Sequence, residues 1–63
     1  MGYREAKELA RIRSELRNRL MSQRTHGAWD LLARLRVAAE GDVDLRSEYE
    51  RWRIRFELLA AGA

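Results

Sequence analysis

The stretch LRSEYERWRIRFELLA, residues 45–60, decides the fold. Leu45, Tyr49, Trp52, Phe56 and Leu59 follow one another at spacings of four, three, four and three. That period places five large apolar side chains on one face of a helix, where a strand would alternate every second residue. Three of the five are aromatic, and a stripe of this kind is core before it is a ligand site. The residues just before it supply a start signal. Asp42 or Asp44 suits the N-cap position, and both put negative charge at the positive end of the helix dipole. Ser47 and Glu50 also have capping-box spacing, which would move the start as late as Ser47.

Working outward, the 63 residues contain no proline, and their four glycines are the strongest punctuation. Gly27 and Gly41 divide the interior into three segments of helical periodicity. The first runs from about residue 3 to residue 23, with Leu9, Ile12, Leu16 and Leu20 three and four apart and Ala6 extending the face backwards. Arg11–Glu15 and Glu15–Arg19 add opposite-charge pairs four apart. The second spans about residues 28–40, with Ala28, Leu31, Leu32, Leu35, Ala38 and Ala39 on one face. The third covers residues 45–60. The Thr25-His26-Gly27 break reads as a turn, with Gly27 in the left-handed conformation and Thr25 as a cap. The competing reading is one long helix kinked at Gly27, since a glycine inside a helix costs only about 1 kcal/mol relative to alanine. The expectation is a single all-α domain over residues 1–63, a small antiparallel bundle of three helices (or two, with the first kinked) that is oligomeric.

Size supplies the reason to expect oligomers. A chain this short buries only about 60% of the surface its unfolded form exposes. Disulfides, metals or association usually compensate. There is no cysteine, and His26 is the only histidine, so association is the device that remains. The apolar share of 46% and charged share of 37% belong to a foldable chain rather than a disordered one. No apolar run approaches the ~20 residues of a membrane span. Charges in residues 1–8 leave no room there for a secretory signal, so a cytoplasmic location is expected.

Two apolar rows exceed what a monomeric bundle needs. Trp29, Ala33 and Val37 sit four apart, away from the Leu31/Leu35 stripe. Ile54, Leu58 and Ala61 lie opposite the Tyr49/Trp52/Phe56 seam. Aligned exposed rows mark interfaces more often than isolated apolar residues do. These six residues are therefore the candidate protein interface, for a partner or a second copy, and a two-fold dimer is the commonest closure. The bland alternative is a middle helix touching both neighbours and a third helix tolerating exposed aliphatics.

Charge is unevenly placed. Net charge is +3, and twelve of the thirteen basic residues are arginine. Residues 1–24 hold seven basic groups against three acidic ones, +4, and residues 25–63 hold six against seven, −1. Arg13, Arg17 and Arg24 fall together on one flank of the Leu9/Leu16/Leu20 stripe, with no acidic residue between them there. Such a row fits phosphates or an acidic partner. It equally fits stems laid along the core edge with heads paired to carboxylates of a neighbouring helix. No aromatic is interleaved with it, which weakens a single-strand reading. Gly41-Asp42-Val43-Asp44 resembles the turn of a helix–turn–helix. The helix after it, however, opens with Asp42, Asp44, Glu48 and Glu50 against Arg46, and these would be repelled from a major groove. Any DNA contact then falls to the first helix. Apart from Tyr3 that helix lacks bulky aromatics and carries Glu5, Glu8 and Glu15, which argues against a membrane surface.

Catalysis is not expected. Ser14, Ser22 and Ser47 have only His26 as a base; Ser22 would reach it on a continuous helix, with no acid placed to orient the ring. Glu40, Asp42, Asp44 and Glu48 gather around one turn but lack the order of a calcium loop. No cofactor and no small-molecule substrate is expected. The function expected is a helical protein–protein interaction module, a homodimeric adaptor or regulator. The alternative is a small nucleic-acid-binding regulator using the first helix.

Overall fold

The computed structural model describes residues 2–62, with Tyr3 described through its backbone alone. Among the described residues the chain forms three helices and no strand: α1 Tyr3–Met21, α2 Ala28–Ala38 and α3 Val43–Ala60. Their periodic faces converge as the spacing requires. Leu9, Ile12 and Leu16 from α1 meet Ala28, Leu31, Leu32 and Leu35 from α2, with Ala39 just beyond it, and Leu45 and Phe56 from α3. Phe56, Leu16 and Leu35 are fully enclosed. Leu20, Tyr49, Trp52 and Leu59 pack around this centre half-buried. The α3 stripe is thus core along its length, while Ala6 and Ala38, expected on the buried faces, are exposed.

The helix ends depart from the sequence reading for local reasons. The α1 helix stops at Met21, two residues early, because Gln23 turns into the left-handed region at φ +55°. The Arg24 N–H then donates to the Arg19 carbonyl at 2.9 Å, and the Gln23 N–H to the Leu20 carbonyl at 3.1 Å. These two bonds make a Schellman close in which glutamine holds glycine's usual place. Gly27, expected to end α1, instead stands at the N-cap of α2 with φ +72°. The connection is a turn, so the long kinked helix is not formed. Arg19 folds over this turn. Its Nε donates to the His26 carbonyl at 2.9 Å and its Nη1 to the Glu15 carbonyl at 3.3 Å.

The α2 helix ends at Ala38 rather than residue 40, and left-handed Gly41 reverses the chain. Asp42 then caps α3, its carboxylate accepting from the Leu45 N–H at 3.1 Å. The helix consequently starts at Val43, ahead of the Leu45 start read from the apolar pattern and well ahead of Ser47. Asp44 lies in the first turn, at the positive end of the helix dipole. No helix among the described residues is long and apolar enough to cross a membrane.

Candidate interaction surfaces

Both apolar rows remain open to solvent in the folded chain. Trp29 keeps 47% of its surface and Val37 66%, with Ala33 exposed between them. On α3, Ile54 keeps 50% and Leu58 60%, and Ala61 is exposed beyond them. Val43 at the start of α3, 80% exposed, lies on the same outer face as Ile54 and Ala61. The apolar pattern alone starts the helix at Leu45, which leaves Val43 out of the row.

The two rows are separate surfaces. The Trp29/Ala33/Val37 row borders a groove of about 450 Å³ between α2 and α3, floored by Leu32 and Tyr49 and rimmed by Arg36, Glu40, Arg53 and Glu57. Going round α3 from Tyr49, Arg53 and Glu57 come before Ile54 and Leu58. Arg53 there pairs with Glu50 at 2.6 Å and with Glu57 at 2.5 Å. An ionic strip therefore runs between the groove and the outer face of α3.

The three arginines expected on one flank are not brought together. Arg24 lies past the end of α1 and lines a small cleft with Asn18, Arg19 and His26. Arg13 is committed across the bundle, where its Nε meets Glu48 Oε2 at 2.6 Å and its Nη2 meets Oε1 at 2.9 Å. This two-pronged pair is the strong geometry for a guanidinium and a carboxylate. It is the pairing with a neighbouring helix that the arginine row left open. Glu48 also accepts from the Trp52 indole N–H at 3.3 Å. The Arg13 hydrogen bond holds the Glu48 carboxyl below its ordinary range against the opposing effect of burial, with help from Trp52 and from the charges of Arg13 and Arg51. The same bond raises the Arg13 guanidinium.

Arg17 stays exposed, and its neighbours come from another helix. A groove of about 340 Å³ between α1 and α3 is lined by Arg13, Arg17, Asp44, Glu48, Arg51, Trp52 and Arg55. The Arg55 guanidinium sits 5.5 Å from the centre of the Trp52 ring, within cation–π range. The aromatic that α1 lacks in sequence is thus supplied by α3 in space. The signal was present in the sequence: Arg51 and Arg55 are four apart and bracket Trp52, but reading each helix alone did not join them to Arg17.

Other chemistry finds no assembly. Ser22 follows the end of α1 and His26 lies across the turn, so the two do not share a helix. No group of three or more His, Cys, Asp or Glu side chains among the described residues is placed to hold a metal ion. No family model, curated protein or solved structure matches the chain.

Proposed function

We propose that the chain is a non-enzymatic helical interaction module that associates with a second copy of itself and docks a partner helix. The observation that carries this reading is the half-exposed or greater state of Trp29, Val37, Ile54 and Leu58 in a fully folded chain. A core of ten buried residues, two of them alanines, has little to spare, yet six large apolar side chains, Met21 and Val43 among them, are left in water.

The two separate rows suit two occupants. The outer face of α3 gathers Ile54, Leu58 and Ala61, with Val43 three turns earlier beyond Ser47 and Glu50, a convex helix face that a two-fold contact with another copy can cover. The Trp29/Ala33/Val37 row beside its charged rim has the apolar floor and polar edge of a site that receives an amphipathic helix. The antiparallel sense of the bundle belongs to the same reading. It is supported by a groove shared between the beginning of α1 (Arg4, Glu5, Glu8) and the end of α2 (Arg34, Val37, Ala38).

The test charges the α3 face with Ile54→Glu and Leu58→Glu together. The parent is expected to run as a dimer by light scattering and the double variant as a monomer of unchanged helical signal. An unchanged molar mass and melting temperature in the variant would sink the proposal.

A further inference from the structure

We propose that the groove between α1 and α3 is a binding site for single-stranded nucleic acid, holding the phosphodiester backbone on Arg17, Arg51 and Arg55 and a base against Trp52. Among the described residues these three guanidinia have no carboxylate within ion-pair distance, whereas Arg13 and Arg53 are committed to Glu48, Glu50 and Glu57. They reach one groove from two helices. Guanidinia hold phosphate oxygens in the same two-pronged way that they hold carboxylates.

The groove stays net positive, with Arg13, Arg17, Arg51 and Arg55 set against Asp44 and Glu48. Glu48 is already occupied by Arg13 and by the Trp52 indole N–H, which leaves Asp44 as the one carboxylate facing the site. The Trp52 indole N–H is held by Glu48 and the Arg55 guanidinium lies over the ring 5.5 Å from its centre, so a base reaches that face by taking the guanidinium's place as Arg55 turns to phosphate. This is the pairing of charge and stacking platform by which proteins take single strands without reading sequence. A duplex is a poorer fit, because the acidic opening of α3 keeps the helix out of a major groove. The site adjoins the Ile54/Leu58 face, since Arg51 and Arg55 stand three residues before Ile54 and Leu58 on α3, but it uses none of that face's apolar side chains.

The test is fluorescence anisotropy of a labelled oligothymidylate with the whole chain at 50 and 200 mM salt. Three phosphate contacts on a single strand give a slope near −2 in log affinity against log salt, so affinity should fall about fifteen- to twentyfold over that range. Arg51→Gln with Arg55→Gln should flatten the slope to about −0.7. Arg34→Gln with Arg46→Gln removes the same charge outside the Trp52 groove and the Trp29 groove and should leave the slope unchanged. Circular dichroism confirms that each variant is folded. Absence of binding at 50 mM salt would overturn the proposal, as would equal losses in the two double variants. So would a polyglutamate of equal charge binding as tightly as the oligonucleotide, which would make the groove a site for acidic peptides. An Ile54→Gln/Leu58→Gln variant, which breaks the apolar contact without placing carboxylates three residues from Arg51 and Arg55, should still bind the oligonucleotide, which separates failure of this site from failure of the self-association reading.

Discussion

Gln23 carries a cost that a single substitution exposes. It holds a left-handed conformation, φ +55°, at the position where helices usually place glycine. A side chain there costs roughly 1–2 kcal/mol, part of which glycine returns as greater freedom in the unfolded chain. Gln23→Gly should therefore stabilise the protein by about 1 kcal/mol in urea unfolding; a destabilised variant would mean the turn is held otherwise. Gly27→Ala should act in the opposite direction. Its φ of +72° disfavours a side chain, and the added Cβ would stand 3.3 Å from the Arg19 guanidinium that ties the turn. Glu48 links stability to pH. Its carboxyl titrates below the ordinary range in the folded chain, so its contribution is complete above the unfolded value of about 4.3 and is lost as pH falls through the lower folded value. The stability advantage over Glu48→Gln should stay under about 1 kcal/mol, because Arg13 is 40% exposed and solvent screens the pair. It should vanish in acid. Parallel pH profiles for the two proteins would contradict the assignment.

At the scale of the element, α3 shows what a sequence can and cannot disclose. Its buried stripe was legible because Leu45, Tyr49, Trp52, Phe56 and Leu59 keep one period, and the structure packs that stripe at the centre or against it. Its start was misplaced because caps are chosen by backbone geometry, and Asp42, Asp44 and Ser47 all carried a suitable side chain. Only the bond from the Leu45 N–H singles out Asp42. Asp42→Ala should accordingly cost about 1 kcal/mol by thermal or urea unfolding, and Ser47→Ala a few tenths at most. An equal loss from both would mean that the cap lies elsewhere. The opposite face of the same helix was equally legible, since Ile54, Leu58 and Ala61 fall about 180° from the core. The arginine groove was not, because Arg17 and Arg51 are distant in the chain and meet only when α1 and α3 pack. Arg24 failed as a member of the flank because the row assumed a helix that Gln23 ends.

At the scale of the whole molecule, a body of 37 × 19 × 14 Å rests on very few fully enclosed side chains. Phe56 is the largest, and Phe56→Ala should cost about 3–5 kcal/mol, comparable to the whole stability of a domain this small. Loss of the helical circular dichroism signal at room temperature is the expected outcome, and a variant that still unfolds cooperatively would show a sturdier core than the burial implies. Such a core gains most from association, because covering the α3 face adds the buried apolar area that the chain cannot supply alone. The measurement that tests this most directly is sedimentation equilibrium over a hundredfold range of protein concentration, at low and at high salt. The account predicts a concentration-linked dimer that survives high salt, because its contact is apolar. A monomer at every concentration would contradict it, as would a dimer that salt dissolves.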